Sequence, residues 1–252
     1  MNSYNRNKIT NNIHYFKRID STQELAKRIL KKKSLKTPLT LVADEQTKGH
    51  GRHGRDFYSP PTTGLYFSII LPNWKKNLSK NELLTIDIAV VISKVLENFF
   101  PDKSFKLKWV NDIYLKGFKV AGIITDVYPN SNGSLNLIIG VGINLSTAQF
   151  PNYLSYKAIG INTKSTVDQN KLLIQIIKKI IKYYYSKKHF LNDYRKRSLI
   201  LGKNITIQLG NKTIESIAQK IENNGYLTVK EKNGNLKTFS AGEIIRVRLN
   251  EH

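Results

Sequence analysis

Residues 105–145 read FKLKWVNDIYLKGFKVAGIITDVYPNSNGSLNLIIGVGINL. FKLKWV (105–110), DIYL (112–115), KVAGIITDV (119–127) and LNLIIGVGINL (135–145) are rich in aliphatic and β-branched residues, the composition of strands. Turn signals separate them, Lys116-Gly117 and Asn130-Ser131-Asn132-Gly133. The middle of the chain is therefore β-rich.

Working outward, LTLVA (39–43) and GLYFSIIL (64–71) read as two more strands, the second alternating in its first half. Helical signals flank the strands. Residues 20–33 offer Asp20, Ser21 and Thr22 as N-cap side chains, then Leu25, Ala26, Ile29 and Leu30 on one face, with lysines at the end. Residues 81–100 predict a long, mostly buried helix, because their apolar positions cover more than one face. Residues 169–188 carry Leu172, Leu173, Ile176, Ile177, Ile180 and Ile181 at helical spacing. After Leu201 the texture changes. NITIQL, TIESIAQKI, YLTVKE, LKTFS and EIIRVRL are short strands separated by LGN, NNG and NGN. They predict a small all-β barrel of about 50 residues. The expected architecture is α+β, with one unit over 1–199 and a β unit over 200–252.

The charge balance is strongly basic: 41 Lys+Arg against 18 Asp+Glu, net +23. Such a charge points first to nucleic acid or an anionic membrane. The arginines, however, are only Arg6, Arg18, Arg28, Arg52, Arg55, Arg195, Arg197, Arg246 and Arg248, so lysine dominates. Base and phosphate recognition favours the planar guanidinium. Lysine scattered among many Asn and Ile fits a bias toward A/T-rich codons, which the base composition of the coding DNA tests. The absence of cysteine excludes disulfides and thiolate zinc sites. No apolar run approaches the ~18 residues of a membrane span. The start has no signal-peptide core. The expectation is a soluble cytoplasmic protein.

Four segments could carry chemistry. Lys48-Gly49-His50-Gly51-Arg52-His53-Gly54-Arg55 lets the backbone approach a ligand closely and line an anion nest beside fixed positive charge. Its spacing is neither a Walker A loop nor a dinucleotide fingerprint, and a flexible basic surface loop would carry the same residues. Lys108-Trp109-Val110-Asn111-Asp112 places a cation and two polar groups at a sheet rim, which a snorkelling lysine and an Asx turn would also produce. Ala121-Gly122 lets something approach its strand, or is simply a packing glycine. Gly142-Ile143-Asn144 ends a strand with the same ambiguity. No Ser-His-Asp triad or HExxH spacing is legible among His14, His50, His53, His189 and His252.

In this order the segments resemble the biotin–protein ligases. That family carries a Ser-Thr pair on an early helix, a G-R-G-R-x-G-R loop, a K-W-P-N-D segment, a K-x-A-G-I strand and a G-x-G-I-N strand. The matching residues here are Ser21-Thr22, Gly49 to Arg55, Lys108 to Asp112, Lys119 to Ile123, and Gly142 to Asn144. The resemblance runs from about residue 14 to the C-terminus. It implies a class II synthetase-like mixed sheet followed by an SH3-like β-barrel.

It also implies chemistry. Biotin and ATP, with Mg²⁺, would form biotinyl-5′-AMP, and a lysine of a biotin carboxyl carrier domain, that of acetyl-CoA carboxylase or a related carboxylase, would take the biotinyl group. Neither step needs a protein nucleophile, which suits the missing triad. Lys108 and Arg52 are the implied catalytic cations. Ser21, Thr22, Gln23, Gln46, His50, Gly51, Arg52, Lys108 and Gly122 are the implied biotin contacts. Arg52, Arg55, Phe57, Asn111 and Asn144 are the implied nucleotide contacts. Asp112 stands behind the ligands or beside the metal, with no certain metal ligand assigned. Gly242-Glu243 matches an element bordering the site.

Three positions depart from the family pattern. His50 replaces a loop arginine, which makes one charge conditional on pH near about 6–7. His53 replaces a variable basic residue, and Val110 replaces proline. About a dozen residues precede the matching region, too few for the helix-turn-helix domain of some relatives. The expectation is a ligase with no repressor activity, no DNA or membrane partner, and a homodimer left open. The rivals are a lipoate–protein ligase of the same fold and a basic nucleic-acid-binding protein. A carrier assay with each acid separates the first, and a steep salt dependence of nucleic-acid binding would mark the second.

Overall fold

The strands of residues 105–145 make up one side of a larger sheet. The computed structural model describes residues 12–74, 83–162, 167–186, 188–240 and 242–247, without the side chains of His53, Glu243 and Arg246. The expectations for residues 81–82, 187 and 248–249, and for the side chains of His53 and Glu243, lie outside the described residues.

The first unit contains β1 (Ile13–Ile19), α1 (Thr22–Lys32), β2 (Leu39–Gln46), β3 (Gly64–Leu71), α2 (Leu84–Phe99), β4 (Lys106–Lys108), β5 (Asp112–Leu115), β6 (Phe118–Pro129), β7 (Leu135–Asn144), α3 (Asn152–Ser155), α4 (Gln169–Tyr184) and α5 (Leu191–Arg197). Its seven strands lie in the order β1-β2-β3-β7-β6-β5-β4. The β1–β2 pair is parallel and the other pairs are antiparallel, so the sheet is mixed. Lys116 and Gly117 both take positive φ, 52° and 83°, between β5 and β6, as a tight hairpin turn requires.

The helices sit where their apolar faces dictate. Ser21 caps α1 by accepting from the Glu24 N–H, with Lys31 and Lys32 in the last turn. Its face of Ala26 and Leu30 packs on Leu39, Leu41, Ile70 and Ile138. On the other side of the sheet, α2 and α4 cover Phe67, Ile69, Val141 and Ile143 in a continuous core. That core runs on into the C-terminal unit through Ile205, Ile207, Leu227, Val229 and Ile244. The C-terminal unit is a five-stranded antiparallel sheet: β8 (Asn204–Leu209), β9 (Lys212–Ile221), β10 (Leu227–Glu231), β11 (Leu236–Phe239) and β12 (Glu243–Val247), in the order β11-β10-β9-β8-β12. The α+β class therefore stands. No described helix is long and apolar enough to cross a membrane.

Three elements go beyond the sequence reading. β1 is an edge strand with no fully buried residue, so it has no alternating apolar pattern to reveal it. α3 and α5 are short, at four and seven residues, below the length at which helical periodicity is legible.

Asp87 of α2 is fully buried and holds this helical layer together. Its carboxylate accepts from the Tyr183 hydroxyl at 2.7 Å, His189 Nδ1 at 2.8 Å and the Phe190 N–H at 2.7 Å. Burial and the neighbouring Asp87 push the Tyr183 hydroxyl pKa far up, so it stays a donor. Asp87→Ala leaves these donors without their acceptor and should lower the unfolding free energy by about 3 kcal/mol. Urea denaturation checks this, and a loss under about 1 kcal/mol would contradict the role assigned to Asp87.

Candidate active site

Register builds the floor of the site. Ser68 of β3 lies opposite Gly140 of β7, and Tyr66 opposite Gly142. On the other side of β7, Gly142 faces Gly122 of β6 and Gly140 faces Ile124. Residues two apart share a face of a strand, so Ser68, Gly140, Gly142 and Gly122 form a patch almost without side chains. The space above it is already used. A Cβ on Gly142 would fall 2.5 Å from the Phe57 ring, and one on Gly140 would fall 2.6 Å from Gln23 Oε1. The result is a narrow, partly open cavity between α1, the Gly-rich loop and the sheet.

The inner end is polar. Gln46 Oε1 accepts from the Thr22 N–H at 2.9 Å and from Thr22 Oγ1 at 3.0 Å, and Gln46 Nε2 donates to Ser59 Oγ at 3.0 Å. Ser68 Oγ lies 2.9 Å from both Thr22 Oγ1 and Gln23 Oε1. Gln23 Nε2 donates to Asp126 at 3.1 Å. Ser21, Thr22, Gln23 and Ser68 are all buried from solvent, so a ligand here must match fixed donors and acceptors.

The Gly-rich loop closes one wall. Gly49 is packed against the Phe57 carbonyl, and a Cβ there would stand 2.8 Å from Ser59 Oγ. The Phe57 N–H returns to the Gly49 carbonyl at 2.8 Å, and the Gly51 N–H donates to the Arg55 carbonyl at 2.6 Å, folding Arg52–Gly54 into a single 3₁₀ turn. This places His50, Gly51, Arg52 and Phe57 on the cavity. Burial lowers the Arg52 pKa and Asp112 opposes that shift, and an arginine stays charged throughout. His50 donates from Nδ1 to the Lys48 carbonyl at 2.7 Å, which turns Nε2 toward Glu24 Oε1, 4.0 Å away.

The cations of the K-W-x-N-D and K-x-A-G-I segments are placed differently from the expectation. The cavity is lined by Lys119 and not by Lys108. Lys119 Nζ lies 2.7 Å from Asp112 Oδ1 and 5.8 Å from the centre of the Phe57 ring. Lys108 instead donates from Nζ to the Ile244 carbonyl of β12 at 2.9 Å, and lies 4.0 Å from Asp112. Burial pushes its pKa down, Asp112 opposes that shift, and Lys119, Arg55 and Lys157 reinforce it. The reason is strand polarity. Lys108 ends β4 at the edge facing the C-terminal sheet, whereas the β5–β6 register places Gly122 beside Asp112, with Lys119 on the same strand opposite Tyr114.

Of the expected site residues, the cavity brings together Ser21, Thr22, Gln23, Gln46, His50, Gly51, Arg52, Phe57, Asn111 and Gly122. Asn111 Nδ2 donates to the Ile123 carbonyl at 3.0 Å. Arg55 and Asn144 are not on the wall. Asn144 is buried on β7, where Oδ1 has no hydrogen-bond partner among the described residues. The sequence reading assigned no role to Lys119, Ser68 or Gly140. The lysine of K-x-A-G-I was the signal for the first. Nothing local marks Ser68, whose position depends on strand pairing.

Comparison with known proteins gives a consistent picture. The model of the biotin/lipoate A/B protein ligase family matches residues 15–144, and that of the biotin protein ligase C terminal domain matches residues 200–247. The bifunctional ligase/repressor BirA of Escherichia coli (strain K12) is 28% identical over 240 residues, covering 90% of this chain and 71% of the relative. A biotin--[acetyl-CoA-carboxylase] ligase of Mycobacterium tuberculosis is 26% identical over 220 residues, covering 83% of this chain and 79% of the relative. The structure of a biotin protein ligase from Aquifex aeolicus in complex with biotin and ATP has a TM-score of 0.77 and 28% identity, covering 94% of this chain and 99% of that one.

The close seat of Phe57 over Gly142 is testable without any ligand. Gly142→Ala should destabilise the fold by about 1–3 kcal/mol through overpacking. In a Phe57→Ala background the same change should cost far less, as a double-mutant cycle in urea would report. Additive effects would mean that the ring does not fill the space above the glycine.

Proposed function

Because the chain belongs to the biotin/lipoate A/B protein ligase family, we propose that it is a biotin–protein ligase, joining biotin to a carrier lysine by way of biotinyl-5′-AMP. One observation carries the choice of acid. The inner end of the cavity is a buried set of hydroxyls and amides, Thr22, Gln23, Gln46 and Ser68, and its outer wall carries Lys119 and Arg52. A ureido ring presents N–H donors and a C=O acceptor to such a set. A dithiolane presents neither, and gains no hydrogen bond from such a set. The lipoate reading is therefore the weaker one.

In the first step a biotin carboxylate oxygen attacks the α-phosphorus of ATP and pyrophosphate leaves. Two anions must approach each other, so preorganised positive charge dominates the catalysis. Lys119 and Arg52 are the cations that line the cavity, and Lys119 takes the role that the sequence reading gave to Lys108. Phe57 offers a ring face beside the glycines, and the folded loop shields the mixed anhydride from water. In the second step a carrier lysine amine attacks the acyl carbon, loses its proton, and AMP leaves. The names of relatives support the carrier domain of acetyl-CoA carboxylase as the acceptor.

Magnesium fits as a companion of the triphosphate. Among the described residues no three His, Cys, Asp or Glu side chains gather as a metal cage. Mg²⁺ is commonly held by substrate phosphates and one or two carboxylates, where it offsets phosphate charge. Asp112, 2.7 Å from Lys119 Nζ and outside the cavity lining, is the carboxylate that would serve such an ion from behind Lys119. The division at 199/200 into a catalytic unit and a C-terminal β unit belongs to the same reading.

Pyrophosphate release from ATP should depend on biotin and be far weaker with lipoate. The reverse preference would sink the assignment. Lys119→Met should slow adenylate formation roughly 10²–10³-fold while biotin still binds. Near-normal turnover would remove Lys119 from the mechanism. Arg52→Ala should speed loss of the adenylate from the enzyme, and an unchanged off-rate would argue against a clamp.

A further inference from the structure

The five residues Lys108 to Asp112 face two ways. Lys108 and Trp109 turn outward to the C-terminal sheet. Lys108 Nζ donates to the Ile244 carbonyl at 2.9 Å, and the buried Trp109 Nε1 donates to the Gly225 carbonyl at 2.9 Å. Asn111 and Asp112 turn inward. Asn111 Nδ2 donates to the Ile123 carbonyl, and Asp112 lies 2.7 Å from Lys119 Nζ. Between the two halves, Lys108 Nζ stands 4.0 Å from Asp112 Oδ2 and 5.1 Å from the centre of the Tyr114 ring.

From this geometry we infer that Lys108 is a positioning residue, which ties the docking of the C-terminal sheet to the place of Lys119 through their shared carboxylate, Asp112. The inference rests on the reading of Lys119 as the reacting cation. The side chains of Lys108 and Asp112 are only 13% and 14% exposed, so their charges are compensated by protein rather than by water. A buried ammonium seeks acceptors for its N–H groups. With β12 docked, the Ile244 carbonyl supplies one, and Asp112 is left close to Lys119. With β12 withdrawn, Lys108 loses that acceptor and Asp112 becomes its compensating group. The carboxylate then moves and Lys119 shifts with it in the cavity; removing the Lys108 charge has the same effect, because Asp112 loses one of the two cations that hold it in place. Neither Lys108 nor Trp109 lines the cavity, so both act on the site from behind it.

The test compares Lys108→Met, Lys108→Arg and Lys119→Met with the full-length wild type. In biotin-dependent pyrophosphate release, Lys108→Met should lower kcat by about tenfold or more and leave KM for biotin within about twofold, the pattern of a lost transition-state effect. Lys108→Arg, which keeps a cation able to reach Ile244, should recover most of that loss. Hydrogen exchange reads the coupling independently of turnover. In Lys108→Met it should rise together in residues 243–247 and 118–122, and stay unchanged around Thr22 and Gln46. Three results would overturn the inference. These are an unchanged kcat, a loss as deep as that of Lys119→Met with no recovery by arginine, and exchange that stays flat or rises throughout the chain. A wild type with no biotin-dependent turnover refutes the proposed function instead, and the exchange measurement still decides the coupling.

Discussion

A single carboxylate lets the cations of this site converge. Asp112 faces Lys119 at 2.7 Å and Lys108 at 4.0 Å, and it opposes the burial-driven pKa shift of Arg52. Positive charges crowded into a partly dry cleft repel each other, and burial adds a desolvation penalty to each. Asp112 offsets both effects from one position at the start of β5, opposite Gly122. The side-chain-free patch at Gly122, Gly140 and Gly142 then lets Lys119, Gln23 and Phe57 seat closely against the sheet, where they line the cavity.

The two sheets are one physical object at this point. The apolar core is continuous from α2 and α4 into the strands of the C-terminal unit. Polar contacts follow the same seam. Arg195 of α5 donates to the Ile221 carbonyl at 2.8 Å, and the Leu199 N–H donates to the Leu107 carbonyl of β4 at 2.8 Å. The strand that ends at Lys108, and Trp109 after it, are thus held against the C-terminal unit, and the cavity lining begins at Asn111.

The net charge of +23 takes a smaller part than its size suggests. Lys171, Lys178, Lys179 and Lys182 sit on the outward face of α4, turned to water and remote from the cavity lining. Other basic residues are engaged locally, as Arg28 is with Asp20, whose carboxyl is held down at about 2 by that partner. The chemistry assigned here uses Arg52 and Lys119, with Lys108 behind them. The general basicity adds a field that favours acidic partners, and that field acts on encounter rather than on chemistry.

Much of the fold was legible in the sequence, because strong local periodicity survives tertiary context. β3, β5 and β7, the helices α1, α2 and α4, and the run of short strands after residue 201 all lie close to where apolar spacing and turn residues place them. The residues of the polar pocket, Ser21, Thr22, Gln23 and Gln46, were expected together only through the family resemblance, and the structure places them on one cavity with the Gly-rich loop. Pairing and polarity were not. Which lysine enters the cavity depends on whether a strand end faces the ligand or the neighbouring sheet, and two lysines eleven residues apart look alike in one dimension. Ser68 joins the pocket only because β3 lies beside β7, and β1 is a strand only because β2 offers it an edge. Local chemistry decided what the residues can do. Long-range register decided which of them meet, because hydrogen-bond pairing between distant strands leaves no mark on the residues it joins.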